Sequence, residues 1–526
     1  MARPMRRKQS DDPGFVASSV ADQQEAVQIC RTVYGGTLAL RKEDGFLPQW
    51  EKEDLDHYRK RQKAALAIGS FRKTVRSLKA IVYRKPMSLG EDVPVEIRGD
   101  SERGIGGIVE NIDLAGQHLD LFGQGLFLDK LVDGHSIILV DWHGPEGARR
   151  AADESNGRAR PYWTKIQKGQ VARPYVRRDD GALVLESFAY FEDDTMRSGA
   201  FAEKEIRRVR QFDLVDVSGN PFPLNDALPP PEGRRVLFRS WIQEARGGDW
   251  DVEEDGRLLG ERMTRIPIAV DYAERADFMR SDPPFLDVAL EVVDHMQIRS
   301  DRKNNMHVTS VPILQTFGIE PEELQVITIG TSMGLAFPGN QTEQGAGYAE
   351  AQGHGLEHTR TELQDIEKRI AELGLSALQR QSRAAETAEA HRLEQKAQDS
   401  ELAAWAIGTR DAIEEALQLS AMWMGIEDGG GSVEINTDFE DMVMEPEQAK
   451  VYLKAVGEGR LSVETMWDAW VAGKYLPETF DPELEAERIA GEGTGELAAI
   501  AEEMRRLRQE QGAATGGTAG GEGDAA

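Results

Sequence analysis

Between Ser281 and Gly425 the chain reads as helix, short strand-forming stretch, glycine-rich loop, helix and then one very long helix, and this order limits the possible folds more than any other feature. It describes a scaffold that spans distance. The first helix is expected from the prolines onward, with Asp282 as its N-cap and Pro283 and Pro284 in the first turn, where a missing N–H costs nothing. Leu286, Ala289, Leu290, Val293 and Met296 form one apolar face, and Asp287 near the start with Arg299, Arg302 and Lys303 near the end complement the helix dipole. At 1.5 Å per residue this is a rod about 30 Å long.

The rod runs into His307 to Phe317, whose β-branched residues suit an edge strand, and then into a second strand candidate from Leu324 to Ile329. A loop with Pro338, Gly339, Gly345, Gly347, Gly353 and Gly355 follows. Helical periodicity returns at Leu356 and continues through Leu363, Ile366, Ile370 and Leu373, so the chain goes out to a tip and comes back. From about Ala384 to Met424 there is no proline, and the stretch is long enough for roughly 60 Å of helix.

Composition excludes several classes. The 526 residues, 40% of them hydrophobic, suffice for more than one core. The strongest apolar run, Ile137-Ile-Leu-Val140, is too short to cross a bilayer, and Arg3, Arg6, Arg7 and Lys8 are followed by Asp11 and Asp12, so neither a membrane anchor nor an export signal is expected. A single cysteine, Cys30, rules out an intrachain disulfide and suits synthesis in a reducing cytoplasm. With 92 acidic against 63 basic residues, a net charge of -29, the chain is poorly suited to gripping phosphates, although an acidic wall lets a polyanion slide past without sticking.

The boundaries read from composition are as follows. Residues 1–20 are a polar, disordered start, residues 21–154 a helical part with a buried strand at Ser136 to Trp142, and residues 155–282 a β-rich part. The β-rich part has strands at Val171 to Tyr175, Leu183 to Phe191, Ile206 to Phe212, Val236 to Trp241 and Ile266 to Val270. Residues 426–490 contain a short strand and two small helices, around Pro446 to Val456 and Val463 to Ala472, and residues 491–526 end in a Gly/Ala-rich tail. A basic segment from Tyr58 to Lys85, with Arg59, Lys60, Arg61, Lys63, Arg72, Lys73, Arg76 and Lys79, interleaves Leu66, Ile68, Phe71, Val75 and Leu78 and reads as a solvated face opposite a core face.

Motifs for chemistry are sparse. There is no phosphate-binding Gly-x-x-x-x-Gly-Lys-Ser/Thr loop, and the glycines of Arg103-Gly-Ile-Gly-Gly107 lack a dinucleotide site's strand and helix context. His354-Gly-Leu-Glu-His358 matches the H-x-x-E-H spacing in which two histidines bind zinc and a glutamate activates water. Gly353 and Gly355 weaken the helix where rigid ligands are needed, so a zinc hydrolase centred on His354, Glu357 and His358 is the alternative, and no metal or cofactor is expected. Trp405, Trp423 and Trp467 read as packing anchors.

Four runs carry a family resemblance: Tyr34-Gly-Gly-Thr37; Asn111-Ile-Asp-Leu114 through Gly134-His-Ser-Ile-Ile-Leu-Val-Asp141; Pro284-Phe-Leu-Asp-Val-Ala289; and Gly459-Arg-Leu-Ser-Val-Glu-Thr-Met-Trp467. In order and pattern they resemble portal proteins, the head-to-tail connectors of tailed bacteriophages, and more narrowly an uncharacterised-domain family of phage head proteins. The resemblance implies an α+β, mainly helical subunit with wing, stem, clip and crown regions, assembled as a ring of about twelve copies at one capsid vertex. It implies a stem helix at 283–306, a clip at 307–340, a returning stem helix and tunnel loop at 341–383, a long wing helix at 384–425 and a crown at 426–490.

The partners implied are the large terminase subunit, head-completion or adaptor proteins, the major capsid and scaffolding proteins, and double-stranded DNA passing through without sequence specificity. The implied location is the virion, after synthesis in the host cytoplasm. A phage head adaptor that encloses no DNA is a further alternative. Two sets of site residues are expected. Thr316, Phe317, Glu320, Glu322 and Glu323 at the tip suit terminase docking, and Trp405, Ile407, Ile413 and Leu417 on the long helix form an apolar face for a neighbouring copy.

Overall fold

The computed structural model describes residues 12–100, 102, 106–143, 159–223, 226–244, 247–310, 313–317, 345–349, 354–375, 388–439 and 446–472, with 475–476, 480–482, 484–485 and 488 beyond them. Two compact units divide at Asp438 and Phe439. In chain order the first unit has helices α1 (Ser18–Gly35), α2 (Thr37–Lys42), α3 (Leu55–Ala64) and α4 (Ser70–Val82), strand β1 (Ser88–Leu89), and helices α5 (Val95–Arg98) and α6 (Leu119–Asp133). Strands β2 (His135–His143), β3 (Arg160–Gln167), β4 (Val171–Asp179), β5 (Ala182–Ser198), β6 (Ala202–Asp216), β7 (Arg234–Gln243), β8 (Asp251–Leu258) and β9 (Ile268–Tyr272) follow. Helix α7 (Leu286–Thr309), hairpin strands β10 (Ile313–Phe317) and β11 (Gly345–Ala349), helices α8 (His354–Leu375) and α9 (Ala388–Met424) and strand β12 (Val433–Glu434) complete it. The fold is α+β.

The core forms around β2. Ile137, Ile138, Leu139 and Val140 are all buried, so both faces of the strand are covered, and the run has no period-2 alternation for that reason. At about 1.5–3 kcal/mol per fully buried aliphatic side chain, this strand is the densest source of apolar stabilisation in the unit. It is the middle of an antiparallel sheet in the order β3-β2-β9, and α6 and α9 both pack on it. Gly134 makes the helix-to-strand turn at φ 94°, and a Cβ there would lie 2.7 Å from the Asp282 carbonyl. The other sheet is a five-stranded meander, β4-β5-β6-β7-β8, antiparallel throughout.

Several expectations need correction. The Ile266 to Val270 run does not join the meander but pairs with β2, Ile138 opposite Ala269. Strands β3 and β8 were not anticipated, and β8 is an acidic, exposed edge without the apolar alternation that marks a strand. The basic segment is two helices, broken at Ala65–Gly69, while its core face of Phe71, Val75 and Leu78 is buried as expected. Strand β12 pairs with β1, Val433 opposite Leu89, so it belongs to the first unit.

Helix α7 starts after the prolines. They form the turn leading in, the Leu286 amide bonds the Pro283 carbonyl at 3.2 Å, and no side chain caps the helix. Its buried face is Val288, Ala289, Val292, His295 and Met296, and Leu290 is exposed, because the helix is covered by α8 on one side and by α1, α3 and α4 on others. It also extends through Thr309, whose hydroxyl donates to the Asn305 carbonyl at 2.8 Å, so the strand begins only at Ile313. Its partner is Gly345–Ala349, expected as loop; Leu324 to Ile329 lies outside the described residues.

The second unit holds α10 (Pro446–Gly457) and α11 (Val463–Ala472) around Val463, Met466 and Trp467, with the Trp467 and Phe480 rings edge to face at 5.6 Å.

Helix α9 is fastened at Lys130, which is fully buried and donates to Asp271 Oδ1 (2.6 Å), the Trp405 carbonyl (2.5 Å) and Thr409 Oγ1 (2.6 Å). Burial pushes the lysine pKa down and the aspartate pKa up, and their mutual attraction opposes both tendencies. Lys130→Met strands a buried carboxylate and is expected to cost about 3–5 kcal/mol, read by urea denaturation. The double variant Lys130→Met/Asp271→Leu is expected to recover a large part of that loss. Additive losses in the double variant would show that the pair is not one unit.

Candidate functional site

The candidate site is the outgoing and returning helix pair and its setting. Arg369 on α8 bonds Glu291 on α7 through both nitrogens, at 3.1 and 3.2 Å, and His295 Nε2 lies 3.1 Å from Glu367 Oε1. These contacts set the helices antiparallel. Between the two helices in sequence, β10 and β11 pair antiparallel, with Ile313 opposite Ala349 and Phe317 opposite Gly345. Leu363, Ile366 and Ile370 give α8 its buried face. Where α8 ends, Gly374 meets α4 so closely that a Cβ would lie 2.9 Å from Thr74 Oγ1. On α7, Gln297 donates to the Phe46 carbonyl at 2.9 Å, and Asp301 pairs with Arg61 at 3.4 Å. The pair is therefore tied to the N-terminal segment at the end of α8 and at the middle and distal part of α7, and in sequence it encloses a two-stranded hairpin.

Acidic side chains outnumber basic ones on the exposed surface of the pair: Asp287, Asp294, Glu357, Glu362, Glu367 and Glu372 are exposed, against Lys303, Arg360 and Lys368. Burial raises the Asp294 pKa, and the nearby charges of Glu291 and Glu362 add to the shift.

Of the tip residues, Thr316 and Phe317 lie on β10, and Glu320, Glu322 and Glu323 lie outside the described residues. On the long helix the expectation of a face left over for a neighbouring copy is corrected. Trp405, Ile413 and Leu417 are covered inside the chain at 6%, 0% and 0% exposure, and only Ile407 is exposed, at 37%. Trp405 packs edge to face on Phe285, and Ile413 and Leu417 belong to the core around β2. Trp423 is also an intrachain anchor: its Nε1 donates to the Val140 carbonyl at 3.0 Å, and its ring stacks on Trp142.

In the candidate zinc motif, Glu357 and His358 are exposed in the first turns of α8, and Glu357 lies 3.7 Å from Arg360. Among the described residues no three His, Cys, Asp or Glu side chains group to hold a metal. Among those residues, too, no helix is long and apolar enough to cross a membrane.

Sequence reasoning missed a buried polar cluster where α1, α6 and the approach to α7 meet. Arg31 bridges Asp129 (2.7 Å) and Asp133 (2.5 Å), and Lys165 also binds Asp129, at 2.6 Å. His135 Nδ1 lies 2.7 Å from Ser281 Oγ, and Lys168 donates to the Ser281 carbonyl. No spacing rule joins residues so far apart in sequence. Burial, assisted by Lys168, lowers the His135 pKa from 6.5 to about 3, and burial raises Asp133 to about 6 against the pull of Arg31.

These shifts have opposite signs in stability. A depressed His135 pKa means that the unfolded chain binds the proton more tightly, so stability present above pH 6.5 is lost as pH falls toward 3. The raised Asp133 pKa does the reverse between about 6 and 3.8. The difference between wild type and His135→Gln isolates the histidine. The variant is expected to lose less stability, by up to about 1.4 kcal/mol per pH unit, between pH 6 and 4. Parallel stability-versus-pH curves from denaturant melts would contradict the neutral, buried histidine.

A family profile described as a domain of unknown function, DUF4055, matches residues 284–424, the stretch from the start of α7 to the end of α9. No curated protein matches the chain. Among solved structures the chain is similar to a component of the virion of a native gene transfer agent particle, at 11% identity and TM-score 0.37, covering 81% of this chain and 95% of that one. It is also similar to a component of the neck of the empty particle computed with C6 symmetry, at 12% identity and TM-score 0.36, covering 81% and 94%. A third is from the neck of the native particle computed with C12 symmetry, at 10% identity and TM-score 0.35, covering 83% and 98%.

Proposed function

We propose that the chain is a portal-type structural subunit that assembles with further copies of itself into a ring at one capsid vertex, through which the genome passes during packaging and ejection. The observation that carries this reading is the antiparallel pair of α7 and α8, which encloses the antiparallel β10–β11 hairpin in sequence and is held by α4 where α8 ends and by α3 further along α7. Such a pair is a stem that leads to a tip, and its acidic surface would let a polyanion pass without adhering. In this reading the pair is the stem, β10 and β11 belong to the clip, α9 with the two sheets forms the wing, and α10 and α11 belong to the crown. The resemblance of the quoted sequence runs to portal proteins points the same way.

Native mass spectrometry of the purified full chain is expected to show a closed species of about a dozen copies. A chain that stays monomeric or dimeric at micromolar concentration across several salt conditions overturns the ring. One bound zinc per chain by elemental analysis would instead favour the hydrolase reading of Glu357 and His358.

The clip is also proposed as the docking surface for the large terminase subunit, through Thr316, Phe317, Glu320, Glu322 and Glu323. Reversing the charge of the three glutamates is expected to leave the ring intact and to weaken capture of the terminase, mainly by slowing association. Wild-type capture and packaging by the reversed variant would remove the segment from the docking site.

A further inference from the structure

The first unit has two exposed helix faces whose charges are opposite and which both carry exposed leucine. On α3, Leu55, Arg59 and Lys63 recur every four residues and so share one face, with Leu66 just past the helix end. All four are exposed, Leu55 at 49% and Leu66 at 38%. The opposite side of the helix is the packed one. There Arg61 is 7% exposed and binds Glu53 at 2.7 Å and Asp301 at 3.4 Å, and its guanidinium lies 4.2 Å from the centre of the Trp50 ring. Arg59, Lys60 and Lys63 face no carboxylate within ion-pair distance among the described residues.

Four arginines of the meander, Arg207, Arg208, Arg210 and Arg239, differ in having an acidic partner within 3.2 Å. The surface beside Leu66 continues to Leu38, 70% exposed, because Thr37 and Arg41 bond to the backbone of Ala67 and Ala65.

The second face is on α7. Asp287, Leu290 and Asp294 are spaced three and four residues apart and are all exposed, an apolar side chain between two carboxylates. Burial and the nearby Glu291 and Glu362 raise the Asp294 pKa, while Arg369, which pairs with both glutamates, opposes the shift.

We propose that these two faces meet between copies: the Leu55–Arg59–Lys63–Leu66 face of one chain docks on the Asp287–Leu290–Asp294 face of the next. This contact rests on the ring reading and names its subunit interface. It is heterologous, because each chain presents both faces, and such contacts build rings when the rotation closes. A nucleic acid is the less suitable occupant of the α3 face. Phosphates have no use for the exposed leucines, whereas a protein face carrying an exposed leucine does. In the proposed contact the leucines supply apolar area and the charges select the partner and its register.

Charge swapping in the full chain tests it. Arg59→Glu/Lys63→Glu and, separately, Asp287→Lys/Asp294→Lys are each expected to raise the concentration at which half the chains assemble by about tenfold or more. Circular dichroism of the unassembled chains should be unchanged, since these are surface positions. The chain carrying all four substitutions is expected to regain assembly, which a folding defect would not do. Sedimentation velocity and native mass spectrometry read the outcome. Wild-type assembly by either reversed pair, or failure of the fourfold variant to recover, overturns the contact. So does an intact ring in which the α3 variant has lost only retention of DNA, since that face would then serve the nucleic acid. A wild-type chain that never assembles overturns the ring reading itself, and the contact with it.

Discussion

One buried ammonium holds the first unit together. Lys130 comes from α6, its carboxylate partner Asp271 from β9, and its carbonyl and hydroxyl partners Trp405 and Thr409 from α9. Removing a lysine from water is costly, and the arrangement is tolerable only because all three ammonium protons find acceptors. Thr409 completes the network by donating to the second Asp271 oxygen at 2.8 Å. A slide of α9 by one turn would strip the ammonium of two of its three acceptors and the carboxylate of its hydroxyl donor. Two further bonds resist the same slide, from Trp163 to Ser420 at 2.9 Å and from Trp423 to the Val140 carbonyl. Gly408 lets the helix approach, since a Cβ there would lie 3.3 Å from the Tyr272 carbonyl.

The fixed register of α9 explains why its apolar face is not available to another chain. A 37-residue helix rich in alanine and leucine looks, as a sequence, like a surface waiting for a partner. In the fold, β2, β3 and β9 already cover Ile413, Ala416, Leu417 and Trp423. A ring of the proposed kind would then have to use other surfaces. On the outer face of α3, Arg59 and Lys63 lie beside exposed leucines and meet no carboxylate within ion-pair distance among the described residues.

Elements with a strong period were legible in the sequence. The helix pair, the long helix and the small helices near 446–472 lie where periodicity placed them, because their buried residues recur at helical spacing. Errors came where a local signal was weaker than the tertiary context. β3 and β8 are strands by virtue of their neighbours, and β11 is glycine-rich and acquires its extended form by pairing with β10. Which face of α7 is buried could not be read, because a helix covered on several sides has no single apolar stripe. Val288 and Val292 point inward and Leu290 outward, though all three are equally apolar in sequence. The Arg31–Asp133 and Lys130–Asp271 pairs join residues more than a hundred positions apart, and nothing local announces them.

The two faces proposed to meet between chains are not independent. Within one chain α3 is tied to α7 by Arg61, which is stacked on Trp50 and bonded to Glu53 and Asp301, and by Gln297 on the Phe46 carbonyl. The angle between the basic face of α3 and the acidic face of α7 is thereby a property of the folded subunit, set before any partner arrives. For a heterologous contact that angle is decisive: it fixes the rotation from one copy to the next, and so whether the series closes and how many copies it takes. Arg61 is then more than a local packing residue. It lies inside the subunit and holds α3 and α7 at the angle from which, in the proposed contact, a ring would follow.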